Sequence, residues 1–313
     1  MSENSNIEWT DHTFNGWWGC TKVHAGCKNC YAETRDRQFA QGVPSHWGNN
    51  PRRMVLGEWH KPEKWNRDAM KAGKRARVFC SSMCDVFEDY HGPVVDQQGK
   101  PVEWSIDGLR RRIFTMIEET PHLEWLLLTK RPENVTKMVP LRWLDNWPDN
   151  VMTGTSPCDQ KTANECIPHL LAVPGRHFLS CEPLLGRIDL ALDAWFDEDA
   201  WRGKIERPRD GVAKRTRDLL HWVIVGGESG HGVRECDVFW IDDIRQQCED
   251  AGVPCFVKQL GAKPMLGDVS DPHGWPATNS PVDFDTGAIH LRDKKGGDPS
   301  EWPEHLRVRQ FPT

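Results

Sequence analysis

Three cysteines stand close together in the stretch WWGCTKVHAGCKNCYAE: Cys20, Cys27 and Cys30, separated by six residues and then by two. Three thiolates on one short loop can hold three irons of a four-iron cluster and leave the fourth open, whereas a fully structural cluster uses four cysteines. The same residues admit a second reading. Structural zinc takes four ligands, and the three cysteines with His24 or His12 would meet that number. An incidental grouping is the third reading. The chain has eleven cysteines, an odd count with mostly irregular spacing, which does not read as a disulfide framework in a reducing compartment. Cys80, Cys84, Cys181 and Cys255 also fall at predicted strand ends. An auxiliary cluster there competes with the ordinary use of buried cysteine as a small apolar filler.

Short apolar runs bounded by turn signals predict the elements that carry these residues. Strands are expected at 9–14, 77–80, 124–128, 151–154, 177–179, 221–225 and 253–257. Between them, 106–119 sets Leu109, Ile113, Met116 and Ile117 on one helical face. Helices are also expected over 32–40, 160–172 and 239–251, the last stopped by Gly252. Strands alternating with helices imply a parallel sheet. The expected fold is α/β, a partial or near-complete (β/α) barrel of about six to seven parallel strands. The cysteines follow the first strand and so open at the C-terminal face, where sites of such barrels collect. A charged stretch over 193–218 reads as an insertion. Residues 1–262 are expected to form the barrel domain and 263–313 a C-terminal extension packing on it as an irregular cap, WPEHLRVRQFP included.

Composition bounds the function. With 38% apolar and 27% charged residues over 313, the chain has the make-up of a soluble globular protein with a sizeable core. Its longest apolar runs, such as Trp222–Val225, fall far short of the about 20 residues of a membrane helix. The start MSENSNIEW has neither the basic nor the apolar part of a secretory signal. A cytoplasmic location without a membrane partner is expected. The net charge of −6 argues against coating nucleic acid, though not against a local basic groove. The segment KPEKWNRDAMKAGKRARVF carries seven Lys or Arg, with Arg110–Arg112 beyond it; such a helix can track phosphates, and more often is a solvated face. The sixteen tryptophans against two tyrosines read mainly as packing.

A three-cysteine loop after the first strand of a partial barrel resembles the radical S-adenosylmethionine superfamily. TFNGWWGCTKVHAGCKNCYAE, FCSSMCDVFED, LLLTKRPEN, FLSCEPLLGRIDL, WVIVGGESGHGVRECD, PCFVKQLG and EWPEHLRVRQFP resemble, in order and over nearly the whole chain, a largely uncharacterised phage and prophage family assigned to that superfamily. The best-known members space their cysteines by three and then two, with an aromatic just before the last. Here the first gap is six, Asn29 holds that place and Tyr31 follows Cys30.

The resemblance implies a 4Fe-4S cluster on Cys20, Cys27 and Cys30, and S-adenosylmethionine bound at its open iron. It further implies an electron donor such as a flavodoxin or ferredoxin, and hydrogen abstraction from a substrate that could be a nucleotide or nucleic acid. Cofactor-binding residues are expected at strand ends: Ser81, Ser82 and Asp85 for the amino group of the methionine moiety, and Thr155 and Ser156 for ribose or carboxylate. Gly226 and Gly227 would allow close approach to adenine, with Glu228 just beyond, and Tyr31 would take the adenine-facing role. Lys130, Arg131, Glu182, Lys258 and Gln259 are candidates for the substrate pocket; for each, an ordinary ion pair or cap is the competing reading. Two rival functions stay open: a zinc-stabilised, non-catalytic nucleic-acid-binding protein, and an iron–sulfur redox sensor.

Overall fold

Apolar runs alternate with amphipathic helices along the chain, and each predicted run forms a strand. The computed structural model describes residues 5–39, 45–194, 214–230, 232–270, 274–276 and 280–312. Most of the charged stretch 193–218 therefore lies outside the described residues. The chain divides into two compact units, one of Met1–Thr155 with Val173–Arg176 and one of Ser156–Ala172 with His177–Thr313.

The first unit holds β1 (His12–Phe14), β2 (Ala76–Cys80), β3 (Leu123–Thr129) and β4 (Val151–Thr155). They run parallel in that order, with Phe14 opposite Cys80, Cys80 opposite Leu127 and Leu127 opposite Thr153. α1 (Tyr31–Phe39) follows the cysteine loop directly, and α2 (Lys61–Ala72) and α3 (Ile106–Glu119) lie between strands in the chain. α3 begins where the Ser105 hydroxyl accepts from the Gly108 amide at 3.1 Å. It buries Leu109, Ile113, Phe114 and Ile117 against Trp125, Leu127 and Val78. α2 stops at Gly73, whose φ of 65° only glycine adopts without strain. Basic residues of this region are largely paired: Lys61 with Glu58 at 2.9 Å, Arg75 with Asp149 at 2.8 Å and Arg77 with Asp11 at 3.6 Å.

The second unit carries α4 (Gln160–Leu171), β5 (Arg176–Cys181), β6 (Leu220–Gly226), α5 (Val238–Ala251) and β7 (Cys255–Gln259). β6 lies between β5 and β7, parallel to both. Its core joins Leu179, Val223 and Val257 of the strands to Ile241 and Ile244 of α5. Trp275, Val282, Ile289, Trp302 and Leu306 belong to the same core, so the irregular C-terminal region packs here through apolar side chains.

Within each unit the main strands run parallel, four in the first and three in the second. The α/β class, the parallel strands and the irregular C-terminal region are as the sequence predicts. Boundaries move for local reasons. Strand 253–257 was displaced toward Cys255 because the Val253 amide is spent on Cys248 O at 2.9 Å, closing α5 after Gly252. Two small sheets escape sequence reading because their strands are two or three residues long: Trp17–Trp18 with Arg52–Met54 and Val94–Val95, and Cys236–Asp237 with Pro264–Met265. Among the described residues no helix is long and apolar enough to cross a membrane.

The outer edge of β7 is not left bare. Val257 N donates to Val308 O and Gln310 N to Cys255 O, both at 2.8 Å, and Arg309 bridges antiparallel to Phe256. An unpaired strand edge is a template for association with other chains. A variant lacking residues 308–313 is expected to unfold at lower urea concentration and to self-associate, which equilibrium unfolding and light scattering would check.

Candidate functional site

The loop that carries the three cysteines starts where Trp17–Trp18 leaves its small sheet. Gly19 turns the chain with φ of 114°, and a Cβ there would stand 2.2 Å from His46 O, so no other residue fits. Its amide donates to Met83 O at 3.1 Å, which joins the loop to the segment after β2. The loop then closes in a short helical turn, Ala25–Cys27, capped by His24, whose Nδ1 accepts from the Gly26 amide at 3.0 Å. Lys22 straps it: Nζ pairs with Glu33 of α1 at 2.6 Å and donates to Lys28 O at 3.0 Å. Cys30 O accepts from Thr34 N at 3.1 Å, so the last cysteine abuts the first turn of α1.

Cys20 lies at the edge of a buried charge network. Arg52, wholly buried, grips Glu88 with two bonds of 2.9 Å. It also donates to His46 O, Asn50 O, Gly48 O and the Thr21 hydroxyl at 2.6–3.0 Å, and Tyr90 lies 3.9 Å from the guanidinium, measured to the ring centre. Arg131, just past β3, donates to Asp85 Oδ2 at 3.0 Å, to Thr21 O at 2.5 Å and to Cys20 Sγ at 3.5 Å. Asp85 also accepts from the Thr129 hydroxyl at 2.8 Å and from the Phe87 and Lys130 amides at 3.0 and 3.1 Å. Thr155 joins through its hydroxyl, which donates to Thr129 O at 2.8 Å. Two buried arginines thus face two buried carboxylates, and the charges balance.

The network acts on the thiols. Burial, with the negative Asp85 and Glu88, pushes the Cys20 thiol up to about 12, and Arg131 opposes them. Burial also raises Cys30, against which Lys130 acts. Cys20 and Cys30 pack against one apolar cluster of Ala32, Trp47 and Met83.

The segment after β2 is shaped by this loop. Asn15 Oδ1 accepts from Met83 N at 2.7 Å, and its amide donates to the Ser82 hydroxyl at 3.1 Å. Tyr31, half exposed, donates its hydroxyl to Ser82 O at 2.7 Å. Ser81 has φ of 75°, a conformation costing a non-glycine residue about 1–3 kcal/mol, and its amide is held by Phe14 O at 2.8 Å.

The first unit therefore brings Cys20, Tyr31, Ser81, Ser82, Asp85, Lys130, Arg131 and Thr155 into one neighbourhood at the C-terminal ends of β1–β4. Cys27 and Cys30 belong to the same unit, and the second unit holds the candidates from Ser156 onward. Glu182 pairs with Lys258 at 2.9 Å, and Ser180 donates to Glu182 at 3.4 Å. Glu228 is gripped by Arg234 through Nη2 at 2.6 Å and Nε at 3.1 Å. Neighbouring backbone also calls for glycine here: a Cβ at Gly227 would stand 2.3 Å from Leu260 O, and one at Gly226 2.9 Å from Gln259 O. Gln259 donates its side-chain amide to Gly227 O at 2.8 Å. The buried Ser156 hydroxyl has no hydrogen-bond partner among the described residues. Cys158, Cys166, Cys181, Cys248 and Cys255 are core or near-core residues of that unit.

Sequence reading passed over Arg52 and Glu88. Glu88 lies inside the quoted FCSSMCDVFED motif but beyond the strand end; Arg52 opens a strand too short to notice. Of the alternative zinc ligands, His24 is spent as a cap and His12 stacks on Trp65 with ring centres 4.4 Å apart.

Among the described residues no three His, Cys, Asp or Glu side chains stand close enough together to hold a metal ion. The donor chemistry of the loop nevertheless fits a cluster: three thiols free of disulfides, two of them on one apolar patch, and a guanidinium N–H on the sulfur of Cys20.

Two outcomes follow from the network. Glu88→Gln is expected to cost about 3–5 kcal/mol, because it leaves a buried arginine without its counter-charge. The double change Arg52→Met with Glu88→Leu should recover part of that loss, as urea unfolding of the three proteins would report. The second outcome concerns Asp36 of α1, fully buried, which accepts from His46 N at 2.8 Å and His46 Nδ1 at 2.9 Å. Burial works to raise its pKa, yet the His46 bonds outweigh it and hold the carboxyl below its ordinary 3.8. Its contribution is present above that ordinary value and lost as pH falls through the lower folded value. The stability gap between wild type and Asp36→Asn should therefore be present at about pH 5 and shrink below about pH 4. A gap that widens below about pH 4 would contradict it.

No curated protein and no solved structure is significantly similar to the chain. One family model, described as protein of unknown function (DUF5131), matches residues 4–271, so the chain belongs to the DUF5131 family.

Proposed function

We propose that the protein is a radical S-adenosylmethionine enzyme whose Cys20, Cys27 and Cys30 hold a 4Fe-4S cluster. The observation that carries the reading is the cysteine loop itself: three thiols on one loop between β1 and α1, with Arg131 donating to Cys20 Sγ at 3.5 Å. A bound cluster would supply an electron to cleave S-adenosylmethionine at its open iron and generate a radical that abstracts hydrogen from the substrate. The chain's own residues have separate tasks. The apolar cluster of Trp47, Met83 and Ala32 keeps water from one side of Cys20 and Cys30. Gly19 and the Lys22 strap set the path of the loop. Lys130, half-buried just past β3, carries a positive charge that acts on Cys30 and could meet an anionic group of a bound molecule. Asp85 is committed to four donors, so its task is to hold Arg131 and the end of β3. The occupied His24 weighs against the zinc reading.

Protein reconstituted without oxygen is expected to be brown and to contain about four irons and four sulfides per chain. With reductant and S-adenosylmethionine it should yield 5′-deoxyadenosine, and Cys20→Ala, Cys27→Ala and Cys30→Ala should each abolish that product. Stoichiometric zinc without colour would replace this reading with the zinc-stabilised one, and a stable cluster that never cleaves the cofactor would replace it with the redox sensor.

A further inference from the structure

We propose that Arg131 is a positioning residue for the cluster, which donates a hydrogen bond to the sulfur of Cys20 and raises the reduction potential of the centre. The inference rests on the cluster reading above. Arg131 is 7% exposed, and its guanidinium is fixed from several sides. Nη1 is shared between Asp85 Oδ2 at 3.0 Å and Cys20 Sγ at 3.5 Å, while Nη2 donates to Thr21 O at 2.5 Å and stands 3.8 Å from Glu88. Its backbone amide is tied to the Thr129 hydroxyl at 2.9 Å. The rigid fork of an arginine suits such a shared position, and a lysine's single nitrogen cannot reproduce it.

The physical consequence is electrostatic. Reduction adds one negative charge to a cluster whose ligands already carry sulfur-centred charge. A buried cation and N–H on one ligand sulfur stabilise the reduced form more than the oxidised form, and hydrogen bonds to the sulfurs are among the determinants of cluster potential. A purely structural brace would also hold the Thr21 backbone, but would leave the potential where it is. The two roles therefore separate in a measurement that does not depend on turnover.

The test is a spectroelectrochemical titration of reconstituted wild type, Arg131→Met, Arg131→Lys and Arg110→Lys. Arg110 serves as the brace control: it donates to Val86 O and Glu88 O, both at 2.6 Å, and its bonds do not include Cys20. At a fixed poise, Arg131→Met is expected to lower the reduced-to-oxidised ratio about tenfold, which is about 59 mV for a one-electron couple. Arg131→Lys should fall between it and wild type, and Arg110→Lys should match wild type. If Arg131→Met does not fold, Arg131→Lys decides. A cluster-bearing Arg131→Lys with the wild-type potential, or an equal shift in Arg110→Lys, overturns the inference while leaving the cluster reading intact. Wild-type protein that takes up no cluster overturns both.

Discussion

Buried charge organises the first unit. Arg52 and Arg131 are withdrawn from water together with Asp85 and Glu88, and none of the four is tolerable there without the others. Each arginine also takes backbone carbonyls from the cysteine loop or the 46–50 stretch. Chain segments far apart in sequence are thereby held to one polar centre. The apolar core sets where the strands lie. The polar centre, together with the buried Met83, Val86, Phe87 and Val135, anchors the loops at their C-terminal ends.

That arrangement treats the three cysteines unequally. Cys20 is attached to the buried centre through Arg131 and through the Gly19–Met83 bond. Cys27 and Cys30 depend on a three-residue turn, the exposed Lys22 strap and the first turn of α1. Cys20 thus meets a buried guanidinium in a low-dielectric setting where hydrogen bonds are strong, while the Lys22–Glu33 strap of the other two is an ion pair that water and salt weaken.

The strands and the longer helices were legible because their signals are local and repeated. Four apolar positions on one face of 106–119 announce α3 whatever surrounds it. The cysteine triad was legible for the same reason, being a spacing within eleven residues. Arg52 and Glu88 were not, since a charged residue gives no sign of burial until its partner, 36 positions away, is brought beside it. Gly226 and Gly227 show the converse difficulty. Their smallness was visible, but the sequence could not tell a ligand's approach from that of another backbone, and the structure has Leu260 O at the place of the missing Cβ. The two-residue strands around Trp17 and Val94 fall below the length at which alternation carries any signal.

The antiparallel segment on β7 has a consequence for how the chain is made. A ribosome delivers residues in order, and domains tend to fold as their residues emerge. The first unit has all its residues once Arg176 has appeared. The second must wait, because Trp302 and Leu306 fill its core and Val308–Gln310 complete its outermost strand pairing. During synthesis β7 therefore spends the time needed for about fifty further residues with its edge open, at roughly 5–20 residues per second a matter of seconds. The second unit is the part of the molecule for which a slow ribosome, or a chaperone that shields strand edges, would matter most.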